Sequence, residues 1–207
     1  MPNVSPRLRK GAILTFDPTI GKPLGTIVLQ YNPDTMTRSL KPQAVGDEPD
    51  RTEIYRLKGP ATETIKAEME IDATEQLAQN PPDPVAVSLG IQPQLSQLEL
   101  LVYPTSATLF LNEGLSLAGT IEILPMQSAL TVFAWGTQRI TPVQITDLEI
   151  TEEAFDPNLN PIRAKVSLGM RVLSVDDVSF LTPAGALYMS YQLAKEAMAA
   201  QAPGPGT

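Results

Sequence analysis

Carboxylates are the side chains in this sequence whose type and spacing come closest to a chemical centre. Glu152, Glu153 and Asp156 lie close together, and a second series alternates with apolar residues between Glu68 and Asp72. Converging carboxylates can bind a hard cation such as Ca²⁺ or act as an acid–base pair. Neither series has the ordered spacing of a cation-binding loop. We therefore interpret both as solvated or interface positions.

The composition excludes other common catalytic centres. The 207 residues include no His and no Cys, which removes the commonest general base and any thiolate or disulfide chemistry. No Ser can have a His partner, and the glycines form no phosphate-binding pattern. We predict that the chain is not an enzyme and that it binds no cofactor or metal.

Charge and hydropathy limit the possible partners. The net charge of −8 argues against a broad nucleic-acid surface, which needs an excess of Lys and Arg. No apolar run approaches the roughly 20 residues of a membrane span. The N-terminal apolar run is short and is broken at Asp17 and Pro18, so it does not resemble a signal peptide. These patterns predict assembly in the cytoplasm, without nucleic acid and without membrane insertion.

The clearest structural pattern lies between residues 133 and 173. Two alternating strands, 140–151 and 162–172, flank a polar connector. A side-chain period of two places the two sets of residues of the second strand on opposite faces. The apolar set is Ile162, Ala164, Val166, Leu168, Met170 and Val172, and the other set is Arg163, Lys165, Ser167, Gly169 and Arg171. In the first strand the apolar phase changes, which predicts a bulge near Thr146 and Asp147.

The periodicity of apolar residues, together with the Gly and Pro residues that interrupt it, predicts the remaining helices and strands. Strands are predicted over residues 11–16, 25–31, 52–57, 65–71, 121–124 and 130–135, with an extended segment over 35–40. Gly59 and Pro60 are expected to break a strand, and residues 41–50 to form an exposed loop. One internal helix is predicted over 92–103, while 107–119 is ambiguous. A C-terminal helix should begin at Thr182 and Pro183. Its apolar stripe is predicted to be Leu187, Tyr191, Ala194 and Met198.

These elements predict a mainly β protein. We expect two packed antiparallel sheets, as a sandwich or partly open barrel, with one internal helix and a C-terminal helix. The β domain should span residues 1–181, the C-terminal helix 182–201 and a flexible tail 202–207.

Four stretches of the sequence resemble one protein family. They are SPRLRKGAILTFDP (5–18), IVLQYNPDTMTRSL (27–40), YRLKGPATETIKAEMEIDATEQL (55–77) and the whole of 132–173. Together they resemble the tube-protein domain of contractile injection systems, which are phage-tail-like particles. The QYNP and EEAFDPNLNPIRA motifs are the most specific. Within the family, the chain is most similar to the small baseplate protein that joins the spike hub to the inner tube, here without the LysM module of many relatives.

The resemblance implies both an architecture and a function. Two packed sheets with a flanking helix form each subunit, and six copies form a ring whose strands line a lumen. The partners implied are further copies of the chain, the inner tube protein, the spike hub protein and other baseplate proteins. The expected function is a hexameric adaptor and tube initiator, in a particle that is either released or membrane-attached. The alternatives are the inner tube protein itself, and a spike- or cargo-binding module that acts through the C-terminal helix.

Ten residues are candidates for the subunit interface or the lumen. The basic set comes from the outward face of the second strand, and the others from the family-like motifs and their neighbours. They are Arg163, Lys165, Arg171, Tyr31, Asn32, Arg38, Trp135, Glu153, Phe155 and Asn158.

Overall fold

A computed structural model describes residues 9–44, 56–117 and 128–202. The strands are β1 (Ala12–Phe16), β2 (Pro23–Val28), β3 (Met36–Ala44), β4 (Leu57–Asp72), β5 (Leu130–Ala134), β6 (Ile140–Phe155) and β7 (Pro161–Val172). The helices are α1 (Thr74–Leu77), α2 (Pro84–Leu89), α3 (Gln92–Glu99), α4 (Ser106–Leu117) and α5 (Pro183–Ala199). The strands form one antiparallel sheet in the order β2-β1-β5-β6-β7-β4-β3. The prediction of a mainly β protein is confirmed.

The long strand β6 joins the described strands into this single sheet. Its first residues pair with β5 and, on the other side, β6 pairs with β7, so that Val143 lies opposite both Thr131 and Val172. Pairing with β5 ends at Val143, where pairing with β7 begins, so β6 links β2, β1 and β5 to β7, β4 and β3 in one sheet. The expected division into two separate packed sheets is therefore not seen among the described strands.

The alternating strands bury one face, as predicted. In β4 the side chains of Ile65, Ala67, Met69 and Ile71 are buried, and in β7 those of Ala164, Val166, Leu168, Met170 and Val172 are buried. Ile13, Phe133 and residues of α3 complete the same core cluster. Burial of each large apolar side chain stabilises the fold by about 1.5–3 kcal/mol. The opposite face, with its charged residues, is left toward solvent.

The predicted bulge in β6 is confirmed. The register with β7 shifts between Ile145 and Asp147, after which Leu148 joins the side of the sheet that packs on the core. Gly169 lies across from the bulge, and a β-carbon there would come within 3.0 Å of the β-carbon of Asp147. The glycine therefore provides the space that the extra residue needs.

The predicted break at Gly59 and Pro60 is wrong, because β4 runs through both residues. The register between β3 and β4 shifts twice between Lys41 and Ala44, and Gln43 Nε2 donates to the Pro60 carbonyl at 2.9 Å. β3 also occupies part of the loop predicted over 41–50. Residues 45–50, most of the strand predicted over 52–57, and the strand predicted over 121–124 lie outside the described residues.

The prediction of one internal helix is wrong, since four helices occur within the described ranges before β5. The predicted helix begins at Gln92 but ends at Glu99 rather than Tyr103. In α2, the Asp83 side chain accepts from the Val85 amide at 2.9 Å and Pro84 is the first helical residue. This capping signal lies within a cluster of prolines, Pro81, Pro82 and Pro84, whose composition is typical of a loop. The ambiguous segment forms α4, which buries none of its residues.

The C-terminal helix begins as predicted, because Thr182 Oγ1 accepts from the Gly185 amide at 3.2 Å. Its buried residues are Ala184, Gly185, Tyr188 and Tyr191, and the predicted stripe is rotated, with Met198 exposed. A β-carbon on Gly185 would overlap the carbonyl oxygen of Ser179. This close approach of two main-chain segments fixes the rotation of the helix, and periodicity does not reveal it.

Replacement of Gly90 by Ala should lower the free energy of unfolding by about 2 kcal/mol. Gly90 ends α2 with a φ of +58°, and a β-carbon there would overlap the carbonyl oxygen of Pro161. The matched control is Gly114→Ala within α4, where no atom lies within 4 Å of the added carbon. That variant should be more stable by about 0.5–1 kcal/mol. Urea unfolding of both variants tests this, and equal stabilities would contradict it.

Candidate functional site

The charged face of the β6–β7 hairpin contains a compact ion-pair group. Glu153 Oε1 lies 2.7 Å from Lys165 Nζ, and Glu153 Oε2 lies 3.4 Å from Arg163 Nε. The register between β6 and β7 shifts between Glu152 and Ala154, which leaves Glu153 as an additional residue in β6. The irregularity places one carboxylate within reach of two basic residues of the neighbouring strand.

The titration of these groups follows from their contacts. The hydrogen bond from Lys165, with the charges of Lys165 and Arg163, lowers the pKa of Glu153. The same hydrogen bond and charge raise the pKa of Lys165. Both groups are in contact with water, so the pair contributes little to stability and is weakened by salt.

The basic row of β7 also faces an acidic row on its other neighbour. Lys165 lies opposite Glu70 in β4, and Arg163 lies opposite Asp72. Directly opposite side chains on an antiparallel pair have β-carbons about 4.5–5.5 Å apart, within reach of charge pairing. Together with Glu153, these residues make the hairpin face a mixed ladder of both signs. A surface with charges of both signs suits contact with a protein of complementary charge better than contact with the phosphate backbone of a nucleic acid.

An open groove adjoins this ladder. Its volume is about 1310 Å³, and the segment from Tyr31 to Thr35 forms one wall. The charged residues that line it are Lys10, Asp34, Glu68, Glu70, Glu75, Glu149 and Lys165. Tyr31, one of the interface candidates, is 43% exposed. The groove therefore joins Tyr31 and Lys165, which are far apart in the sequence, on one acidic surface.

The amides of the QYNP motif hold main chain within the subunit. Gln30 Nε2 donates to the Asp72 carbonyl at 2.6 Å, and the Asp72 amide donates to Gln30 Oε1 at 2.9 Å. Asn32 Oδ1 accepts from the Gly11 amide and its Nδ2 donates to the Arg9 carbonyl, both at 2.8 Å. The Asn32 side chain thus hydrogen-bonds to main chain of the same subunit, just before β1. Its role in a ring contact stays a prediction.

The connector between β6 and β7 is fixed by one carboxylate. Asp156 Oδ1 accepts from the main-chain amides of Asn158 and Asn160 at 2.7 and 2.8 Å. The hydrogen bond from the Asn160 side chain, followed by that from its amide, lowers the pKa of Asp156. Leu159 has a φ of +67° and is 81% exposed, and Phe155 is 50% exposed. The loop therefore presents two apolar side chains on an ordered support.

Arg38 lies in a buried network whose members are far apart in the sequence. Glu63 is only 4% exposed, and its carboxylate lies 2.6 Å from Arg38 Nη2 and 3.1 Å from Lys195 Nζ. The Tyr191 hydroxyl accepts from Arg38 at 3.0 Å. The network joins β3, β4 and α5. One signal was available, because Glu63 shares the odd-numbered positions of the buried face with Ile65.

The other two candidates lie apart from the ion-pair group. Arg171 is about eight residues, or about 26 Å, along β7 from Arg163, and it pairs with Asp177 at 2.8 Å. Trp135 stacks on Phe133 with ring centroids 6.0 Å apart and lies over Gly11. The structure thus groups Glu153, Arg163 and Lys165 beside the connector, and gives Arg171 and Trp135 partners within the chain.

The described residues hold no group of three or more acidic side chains placed to bind a metal ion. Within the same ranges every helix is too short or too polar to span a bilayer. Comparisons with protein-family models and with curated proteins found no match.

Replacement of Glu63 by Gln should lower the free energy of unfolding by roughly 2 kcal/mol at neutral pH, because Arg38 and Lys195 lose their counter-charge. Burial alone would raise the pKa of Glu63, but the hydrogen bonds and charges of Arg38 and Lys195 lower it below its usual 4.5. A lowered pKa stabilises the fold above pH 4.5, and this contribution is lost as the pH falls through the lowered value. Denaturant unfolding between pH 3 and pH 7 measures it.

The matched control is Glu153→Gln, which removes an exposed carboxylate with two basic neighbours. This variant should change stability little, and the change should disappear at high salt. If Glu63→Gln and Glu153→Gln had the same effect at every pH, the buried network would not stabilise α5.

Proposed function

We propose that this chain is a structural baseplate protein of a contractile injection system, a six-fold ring adaptor that links the spike hub to the inner tube. The observation that carries the proposal is the form of the sheet. β4, β6 and β7 have 16, 16 and 12 residues, and each places apolar side chains on one face and polar or charged side chains on the other. Long strands with one wet face suit the wall of a ring, where the edges of the sheet can be covered by neighbours.

The positions of the two family-like motifs support the same proposal. QYNP contributes the Gln30 and Asn32 amides that hold main chain at β4 and β1. EEAFDPNLNPIRA contributes Glu153, which pairs with Lys165, and Asp156, which orders the connector. Both motifs therefore specify geometry rather than a reacting group. Sequence motifs with geometric roles are expected of an assembly protein.

We propose further that the two halves of this single sheet correspond to the two-sheet architecture of tail tubes. One half consists of β2, β1 and β5, and the other of β7, β4 and β3. The shared core supports this correspondence, because it combines Ile13 and Phe133 from the first half with Ile65 and Leu168 from the second. The Gln30 side chain adds a hydrogen-bonded link between the segment after β2 and the end of β4.

In this proposal the action of the protein is mechanical. The ion-pair ladder on the hairpin faces a neighbour or the lumen, where alternating signs can fix the register of copies without net attraction for nucleic acid. The connector offers Leu159 and Phe155 at one end of the hairpin as apolar contacts for the adjoining ring or the spike. Because Asp156 orders the loop before contact, less conformational entropy is lost on binding.

A second candidate is a binding module that acts through α5. The buried side of this helix is fixed by Tyr188 and Tyr191, whereas Leu193 is 60% exposed and Met198 43% exposed on other sides. Exposed apolar side chains on an anchored helix suit a partner helix or groove. In this second function α5 is the element that contacts a spike or cargo protein.

Leu193→Lys is expected to leave ring formation unchanged and to abolish binding of a partner that uses α5. Ala199→Lys, also exposed on α5 but about 120° around the helix from Leu193, is the control for the added charge. Co-purification of the chain with its particle measures both. Equal recovery of wild type and Leu193→Lys in the particle would argue against this second function.

The copy number of the chain at the base of the tube tests the main proposal. Electron microscopy of the particle should show six copies in one ring. The isolated chain should form rings rather than long tubes, since growth into tubes would identify the repeating tube subunit instead. A particle without a ring of this chain would contradict both the adaptor and the tube subunit.

Reversal of two charges, Arg163→Glu with Lys165→Glu, should prevent or weaken ring formation. The change places both new carboxylates beside Glu153 and opposite Asp72 and Glu70, so the ladder becomes uniformly acidic. Native mass spectrometry and imaging of the rings measure the outcome. Lys22→Glu with Lys58→Glu, two exposed lysines outside the hairpin, makes the same change in net charge and is the control. Normal rings from the double variant would show that the ladder is not a subunit contact.

A further inference from the structure

The β2 strand forms an open edge of the sheet. It is the first strand in the sheet order, and only β1 among the described strands pairs with it. Its sequence, PLGTIV, contains no charged residue. Leu24 and Val28 are 60% and 57% exposed. An uncharged, exposed and apolar edge is a template for pairing with another strand.

The opposite edge, β3, is guarded in several ways. Pro42 lies within β3 and has no amide hydrogen to donate. Lys41 adds a charge, and the register with β4 shifts twice between Lys41 and Ala44. Arg38 is already paired with Glu63. Because bulges, proline and lysine all discourage strand addition, the two edges of the sheet differ in their readiness to pair.

The direction of the main-chain groups on β2 can be worked out from one hydrogen bond. The Leu29 amide donates to the Gly11 carbonyl at 2.9 Å, which turns the main chain of Leu29 toward β1. In an antiparallel pair this direction alternates, so the amide and carbonyl of Val28 and Thr26 point away from β1. A register shift follows at Leu24, beside the pair of Phe16 with Pro23. Thr26 is therefore the centre of the free edge, with exposed apolar residues on both sides.

We propose that β2 is a self-pairing surface, on which a second copy of this chain adds its own β2 in antiparallel orientation across a two-fold axis at Thr26. In this register Thr26 lies opposite the Thr26 of the other copy, and Val28 lies opposite Leu24. Cross-strand pairs of β-branched and apolar residues are favourable on a sheet. A two-fold contact uses the same patch on both copies, which is the commonest form of self-association.

Charge favours a second copy as the occupant. A two-fold axis pairs the strand with its own sequence, so a charge close to the axis would lie near the same charge of the other copy. β2 carries none between Pro23 and Val28, and self-pairing therefore has no like-charge penalty. A corresponding two-fold contact on β3 would bring Lys41 and its neighbours together. The absence of charge thus makes β2, rather than β3, the edge strand suited to pairing with a second copy of itself.

This inference does not depend on the proposed function. A ring is built from head-to-tail contacts, in which β2 would meet a different segment of the next copy. In the two-fold pair β2 meets β2. The two-fold dimer is therefore a state of the chain outside a ring, in which each copy covers the β2 edge of the other.

The cysteine-free sequence permits a direct test of the axis. Opposite hydrogen-bonded residues of antiparallel strands have Cα atoms about 5.5 Å apart, which suits a disulfide. The full-length Thr26→Cys variant should therefore form a covalent dimer rapidly under mild oxidation. The matched control is Val28→Cys, whose two copies would be displaced by four residues, or about 13 Å. Non-reducing electrophoresis measures the dimer fraction in each case.

A second set of variants tests the main-chain contact without cysteine. Thr26→Pro removes an outward donor, and Thr26→Lys places like charges across the axis. Each should raise the dimer dissociation constant at least about tenfold, as measured by analytical ultracentrifugation. Thr26→Val keeps the amide and should preserve the dimer. Circular dichroism checks that the variants fold, and Thr26→Lys remains informative if Thr26→Pro does not.

Three results would overturn the proposal. The wild-type chain could remain monomeric at all concentrations, or Val28→Cys could crosslink as fast as Thr26→Cys. A monomer whose Thr26 and Val28 amides are protected from hydrogen exchange would show that another part of the same chain covers the edge. Failure to form rings, with rapid crosslinking at Thr26, would leave this inference standing and count against the proposed function alone.

Discussion

The main-chain pairing of β6 is the constraint on which the rest of the structure depends. β6 bonds to β5 at its start and to β7 along its length, so Val143 has a strand on each side. The irregularities further along β6 change its register with β7. The bulge at Asp147 returns apolar residues to the core, and Gly169 leaves space for it. The second shift leaves Glu153 beside the basic residues of β7.

Where the ladders end, polar side chains take over the hydrogen bonds. Gln30 satisfies both main-chain groups of Asp72, Asn32 supports the start of β1, and Asp156 closes the hairpin connector. Glu63 has the corresponding role for charge, since its carboxylate pairs with both Arg38 of β3 and Lys195 of α5. Buried or strand-end polar groups must be paired, so these residues hold the fold rather than perform a reaction.

The surface is consistent with the proposed assembly role. Charges on the hairpin have neighbours of opposite sign, and exposed apolar residues occur at several places that include the connector, α4, α5 and β2. A protein whose surface has separate apolar areas and balanced ladders can meet several partners at once. The proposed ring, its contact with the spike and the β2 pair each use a different one of these areas.

The alternation of side chains determined the mainly β class, the buried faces of β4 and β7 and the bulge near Asp147, and Thr182 followed by Pro183 determined the start of α5, because each depends only on local sequence. The sequence did not determine the number of sheets, the course of β4 through Pro60, the four internal helices or the rotation of α5. Those features depend on which segments approach each other: β6 has two partners, Gln43 supports Pro60, and Gly185 contacts the main chain at Ser179. The candidate site divides in the same way. Spacing identified Arg163 and Lys165 as neighbours on one face, but only the tertiary structure supplied their acidic partners and placed Arg38 with Glu63, since charge pairing across strands requires the register.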